Sequence, residues 1–217
     1  MGDIQHSRPI LYSFRRCPFA MRTRIILKLS DIRVTLREIE LKDKPDSLLQ
    51  VSPKATVPVL VLPDKVLEQS MDIIFWALLQ SDTYNMMQVW NEDKKASFDF
   101  LDKLDNGFKY HLDRYKYELR YKVSEKNIHR DQAMAWINAL ELKLQSSCYL
   151  SGDTIGIFDY ITLPFIRQFR IADPKWFDNQ ALPNTQKWLC EFIESAIFTQ
   201  IMQKMPIWKT TNMETAF

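Results

Sequence analysis

Pro18 stands between two hydrophobic periods, and that junction constrains the fold more than any other feature of the chain. Before it, Ile10 to Phe14 is a short apolar run of the kind a buried strand requires. After it, Ala20 to Leu29 carries apolar residues around most of a helix circumference, so this helix is expected to be covered on more than one side. Proline is favoured in a first helical turn, where its missing N–H would have had no helical acceptor. Val34-Thr35-Leu36 then alternates as a half-buried strand does. Strand, helix, strand makes a crossover unit, nearly always right-handed, with the two strands parallel.

Lys42-Asp43-Lys44-Pro45 reads as a loop and Val57 to Leu62 as a second apolar strand. Pro63-Asp64 supplies a turn, after which Val66-Leu67 can pair back antiparallel. Ser70 is a good N-cap for a helix with Ile73, Ile74, Ala77 and Leu78 at helical spacing. The order βαβ-ββα is the thioredoxin-like arrangement, assigned to residues 1–82. Residues 83–89 lack strong periodicity, and from Trp90 onward every long segment reads as helix. An all-helical unit is therefore expected over 90–217, giving the fold class α/β plus all-α.

Two stripes mark that bundle, Phe98, Leu101, Leu104 and Phe108 and then Ala133, Trp136, Ile137, Leu140 and Leu144. Asp159, three residues after Gly156, is placed to bond backbone donors at a helix start, and Pro183-Asn184 begins another helix through Trp188 and Phe192.

A hydrophobic share of 46% and a charged share of 26% are those of a soluble globular protein, and only four glycines favour helix. A formal charge of +2 gives no reason to invoke nucleic acid or a charged membrane surface. The longest apolar run, Ile73 to Leu79, is too short to span a bilayer. Met1 to Ser7 has neither a basic start nor an apolar stretch, so no secretory signal is read and the cytoplasm is expected. Cys17, Cys148 and Cys190 are odd in number and widely spaced, which suggests neither a disulfide framework nor a metal site. Cys148 and Cys190 fall on helical stripes and are expected in the core.

Cys17 is different. It lies where a strand hands over to a helix, at the positive end of the helix dipole and beside Arg15 and Arg16. Such surroundings lower a thiol pKa from about 8.5 to roughly 3.5–7.5, and the thiolate is the nucleophilic form. The plainer alternatives are an inert buried thiol and two arginines on a solvated edge. The residue three after Cys17 is Ala20, not a second cysteine, so a mixed disulfide formed here must be released by an external thiol.

Cys17-Pro18-Phe19-Ala20 with Arg22-Thr23-Arg24, Lys42 to Pro45, Thr56-Val57-Pro58-Val59-Leu60 and Gln69-Ser70 together resemble the N-terminal domain of cytosolic glutathione transferases. The cysteine form is most similar to the omega class and its bacterial relatives. The resemblance implies glutathione as co-substrate, added to the sheet as a short strand at Val57, before a cis Pro58. It implies that the γ-glutamyl end docks at Gln69-Ser70, on the free N–H groups of a helix start, that Lys44 reaches the glycyl carboxylate and that Phe19 packs beside the thiol. Each position also has a plainer reading: Pro58 as the start of an edge strand, Ser70 as a cap, Lys44 as a solvated lysine, Phe19 as a packing aromatic. Gln69 departs from the omega pattern, in which glutamate pairs with the glutathione ammonium; a Gln oxygen offers only a neutral acceptor.

The function so implied is glutathione-dependent thiol transfer through a Cys17–glutathione mixed disulfide, of dehydroascorbate-reductase type, on a small electrophilic or disulfide substrate. A homodimer, no metal and no nucleic acid or membrane partner complete the expectation. Conjugation is less favoured because a Ser or Tyr hydroxyl normally stabilises the glutathione thiolate, although Tyr12 and Ser13 leave a weak hydroxyl role open. The acceptor site is expected between the domains, lined by Phe108, Tyr110, Tyr115 and Tyr117. Two other readings stand beside this one. A large two-domain glutaredoxin shares Ser70-Met71-Asp72-Ile73 but normally has a second cysteine at the Ala20 position, and a non-catalytic binding protein can use the same scaffold.

Overall fold

The computed structural model describes residues 8–122 and 125–217. The reading of Met1 to Ser7 as free of a secretory signal lies outside them. The chain forms two compact units, one running to Tyr84 and taking in Ala196–Phe217, the other Asn85–Ser195.

The first unit is built on a five-stranded sheet in the order β4 (Val66–Leu67), β3 (Val59–Val61), β1 (Ile10–Ser13), β2 (Thr35–Glu38), β5 (Thr215–Ala216). The strands β1 (Ile10–Ser13) and β2 (Thr35–Glu38) are parallel, Ile10 opposite Thr35 and Ser13 opposite Glu38, and are joined through α1 (Pro18–Leu29). After α2 (Asp46–Val51), β3 (Val59–Val61) pairs antiparallel with β1, and β4 (Val66–Leu67) pairs antiparallel with β3. α3 (Ser70–Gln80) completes the thioredoxin-like order.

The fifth strand comes from the far end of the chain. β5 (Thr215–Ala216) lies antiparallel to β2, and Phe217 and Val34 exchange two backbone hydrogen bonds of 3.0 Å. It covers a β2 edge whose N–H and C=O groups would otherwise stay open. Ala196–Phe217, read above as part of the helical unit, therefore pack with the sheet. Arg24 donates to the Ile201 carbonyl (3.0 Å) and Arg15 to that of Met202 (3.1 Å), Arg37 pairs with Glu214 (2.6 Å), and Lys28 sits 4.2 Å above the Phe217 ring. A two-residue strand is too short to show a period, so only these partners determine it.

α1 is covered all round, and its inward residues include two arginines, Arg22 and Arg24, exposed by only 1% and 0%. Arg24 reaches the Ser13 hydroxyl (2.8 Å) and forms an ion pair with buried Glu38. Burial lowers the Arg24 pKa below the ordinary guanidinium value, against the opposing pull of Glu38 and, more weakly, of Cys17.

The second unit contains α4 (Met86–Glu92), α5 (Lys94–Asp102), a wide π-type turn (Lys103–Phe108), α6 (Lys109–Lys116), α7 (Glu118–Tyr121), α8 (Lys126–Ser146), α9 (Ile157–Ala172), α10 (Pro174–Asp178) and α11 (Pro183–Glu194). Leu104 and Phe108 are buried as expected, but Phe98 is 53% exposed and Ser97 takes the inward place. The wide turn breaks the 3.6-residue phase, so the stripe does not run straight back through α5. Ala133, Ile137, Leu140 and Leu144 are buried, and half-buried Trp136 packs 4.9 Å from the Phe108 ring. Asp159 accepts from the backbone N–H of Leu150 (2.8 Å), Ser151 (3.1 Å) and Gly156 (3.0 Å) and from the Trp188 indole (2.9 Å). Cys148 and Cys190 are both exposed, not core; the Cys190 thiol bonds Glu194 (3.2 Å), one turn on, which pushes its pKa up.

α6 and α8 are bridged by His111 and His129, whose Nδ1 atoms lie 2.9 Å apart. One ring must donate and the other accept, which two protonated imidazoles cannot do. Burial pulls both below the ordinary histidine value, helped by the mutual His129–His111 interaction at His111 and by Arg114 at both. Folded-state values below the unfolded value of about 6.5 mean that this contribution is intact above that pH and is lost as pH falls through the folded values. The melting temperature should therefore drop between pH 7.5 and 5.5, and less steeply in the His111→Gln/His129→Gln variant. An equal drop in that variant would clear the pair of responsibility.

Candidate functional site

At the end of β1 the chain turns, with the Cys17 N–H bonded to the Phe14 carbonyl at 2.9 Å. Pro18 opens α1, leaving Cys17 at the cap position with extended backbone (φ −76°, ψ 124°) and its carbonyl accepting from Met21 (2.8 Å). The thiol is half-buried against a cluster of Tyr12, Ile39, Leu48, Val57 and Val59. It donates to the Val57 carbonyl at 3.5 Å, and the bond from Val57 to Pro58 is cis. Cys17, Val57 and Pro58 thus come together at one end of β3, with half-buried Phe19 in the first turn of α1.

Lys44 is half-buried in the loop before α2. Its carbonyl accepts from Lys209 (3.4 Å), and Lys209 also pairs with Asp43, so helix α12 (Trp208–Thr211) braces this loop. Trp208 packs on the same cluster as Cys17 and meets Tyr12 edge-on at 6.2 Å. Among the described residues, the Lys44 ammonium itself makes no hydrogen bond or ion pair.

Gln69 is exposed and occupies the cap position of α3, while Ser70 is the first helical residue and 4% exposed. Ser70 is therefore not the N-cap that the sequence suggests. Its hydroxyl instead accepts from Arg22, at 2.9 Å from Nε and 2.7 Å from Nη2, and the Arg22 guanidinium lies 4.9 Å from the Phe19 ring. The half-buried Glu68 carboxylate, one residue before Gln69, is held by the Ser52 hydroxyl (2.6 Å).

Of the two hydroxyls close to the thiol in sequence, that of Tyr12 has given its hydrogen away and that of Ser13 is buried. The Tyr12 phenol donates to Ser47 (2.9 Å) and accepts from Arg37 (2.7 Å), and the Ser13 hydroxyl, fully buried, accepts from Arg24. Burial pulls the Arg37 guanidinium down, but its bonds to Glu214 and Tyr12 outweigh that and raise it. Sequence reasoning missed Glu68, Arg22 and Lys209 as site-shaping groups. For the two cations the signal is the company they keep in space, with partners 48 residues from Arg22 and 165 from Lys209.

Of the four aromatics expected to line an acceptor site, Phe108 alone lines the cavity described next. Phe108 lines a cavity of about 790 Å³ inside the helical unit, with Phe100, Trp136, Phe158 and His111. Tyr115 is buried against Phe169, whereas Tyr110 and Tyr117 are exposed, Tyr110 beneath Arg114.

Residues 11–82 match the glutathione S-transferase N-terminal domain and residues 94–196 the C-terminal domain. Glutathione S-transferase U22 of Arabidopsis thaliana is 27% identical over 174 residues, 76% of this chain and 75% of that protein. Glutathione S-transferase omega-1 of Sus scrofa is 46% identical, but over 59 residues, 27% of this chain and 24% of that one. Among solved structures, a glutathione transferase family member from Pseudomonas fluorescens with two glutathione bound has a TM-score of 0.72 at 18% identity, covering 92% of this chain and 94% of that chain. With both of its domains matched over most of its length, and with a thioredoxin-like sheet ahead of a helical bundle, the chain belongs to the glutathione S-transferase family.

Proposed function

We propose that this protein is a cysteine-type, omega-like glutathione transferase that works by thiol transfer. The observation that carries the reading is Cys17 at the cap of α1, half-buried beside the Val57 carbonyl with Pro58 next in the chain. Val57 offers an added strand its backbone groups, Lys44 and Ser70 offer the two ends of glutathione a cation and a hydroxyl, and Phe19 walls the thiol. No second thiol is available at Ala20, which is fully buried. The Tyr12 hydrogen, already given to Ser47, and the full burial of the Ser13 hydroxyl favour thiol transfer over conjugation. We place the protein in the cytoplasm, as a homodimer without a metal.

The Cys17 thiolate attacks the glutathionyl sulfur of a mixed disulfide RS–SG, forming Cys17–S–SG and expelling RS⁻, which takes up a proton. A second glutathione, as thiolate, attacks the Cys17-bound glutathionyl sulfur, forming oxidised glutathione and returning Cys17 as thiolate. The net change is RS–SG plus one reduced glutathione to RSH plus oxidised glutathione: the substrate sulfur is reduced, the incoming glutathione sulfur is oxidised, and one disulfide replaces another. Incubation with oxidised glutathione at pH 7 should give one adduct, mapped by mass spectrometry to Cys17 and not to exposed Cys148 or Cys190, and removed by reduced glutathione. An adduct spread over the three cysteines, or absent from Cys17, would defeat the reading.

A further inference from the structure

We propose that Arg22 is a positioning residue for glutathione, its buried guanidinium filling both lone pairs of the Ser70 hydroxyl so that this hydroxyl can only donate, outward, to the γ-glutamyl α-carboxylate. This rests on the reading above, in which that end of glutathione docks at Ser70. A hydroxyl has one hydrogen and two acceptor sites. Arg22 takes both acceptor sites, from Nε at 2.9 Å and Nη2 at 2.7 Å, and among the described residues the Ser70 hydroxyl donates to none. Its hydrogen is thereby turned away from the guanidinium.

Several features make this arrangement suited to an anion. Ile73 supplies the first N–H of α3 that finds a carbonyl in its own chain turn, that of Gln69 (3.1 Å), so the N–H groups of Ser70, Met71 and Asp72 precede the helical ladder. Asp72, exposed in the same first turn, repels a carboxylate, and Gln69 brings no charge. A cation placed directly behind Ser70 offsets that repulsion, and it acts strongly because Arg22 is only 1% exposed and poorly screened by water. The planar fork presents two donors to one oxygen, which an ammonium on a flexible stem does not reproduce, and the Phe19 ring 4.9 Å away holds its plane.

The test measures binding of reduced glutathione, and of the analogue whose γ-glutamyl α-carboxylate is an amide, by calorimetry under reducing conditions. Wild type should bind the amide about tenfold more weakly than glutathione. Arg22→Lys should lose about tenfold for glutathione and little for the amide, so that the preference largely disappears. Ser70→Ala should do the same, and the double variant should be no worse than the weaker single one, because Arg22 acts through Ser70. Arg22→Gln, uncharged, serves as the second variant should the lysine form not fold, with the same expected loss of preference. If Ser70→Ala loses the preference while the folded Arg22 variant keeps it, Arg22 is overturned and the docking of glutathione at Ser70 stands. If wild type itself shows no preference, or Ser70→Ala binds glutathione unweakened, the docking reading falls and takes the role of Arg22 with it.

Discussion

Cys17→Ala should lower the rate of reduction of a glutathione mixed disulfide by about a thousandfold or more, with the melting temperature little changed. The size of the effect follows from the lack of any substitute. Cys148 and Cys190 are exposed in the other unit, Cys190 bonded to Glu194, and Ala20 supplies no second thiol. Stability should survive because the thiol is only half-buried and its hydrogen bond to the Val57 carbonyl is a long S–H contact of 3.5 Å. Residual turnover within tenfold of wild type would mean that glutathione reacts directly with the substrate and that Cys17 is a packing residue. Circular dichroism melts of the same preparation separate that outcome from unfolding.

Arg24→Met should destabilise the protein by about 3–5 kcal/mol, the cost of leaving one member of a buried ion pair alone. Glu38 is 4% exposed, and after the substitution its carboxylate would keep only the Arg15 N–H (2.8 Å) among the partners described here. The same change strips the Ser13 hydroxyl and the Ile201 carbonyl of their donor, so the C-terminal stretch loosens from the sheet. Urea unfolding of Arg24→Met, Glu38→Gln and the double variant measures the coupling. A loss below 1 kcal/mol in the single Arg24 variant would show that water or a neighbour replaces the guanidinium. Hydrogen exchange at Val34, whose N–H bonds Phe217, should quicken in the same variant and report the release of β5.

Elements whose signals act within a few residues were legible before any coordinates. Pro18 marks the start of α1, the alternation after it marks β2, Pro63-Asp64 marks the turn into β4, and Asp159 closes on the N–H of Gly156 as its spacing implied. In the site, Cys17 at the cap and its neighbour Val57 were likewise placed by short motifs and by resemblance. Ser70 was found at the right helix but as its first residue and not its cap, its hydroxyl held by Arg22 from 48 residues away. Exposed Cys148 and Cys190 show the same limit, since a helical stripe tells which residues align but not which face another element will cover.

By itself, then, the sequence determined the order of strands and helices, the thiol at the strand-to-helix junction and the kinship with glutathione transferases, all of them consequences of local period, turn chemistry and contiguous motif. Tertiary structure alone decided that Thr215–Ala216 close the sheet, that Arg22 and Arg24 are buried with Ser70 and Glu38, and that Phe98 faces water. Those outcomes depend on desolvating charges only where distant acceptors meet them and on an open strand edge finding a partner, and neither condition is written in any short stretch of chain.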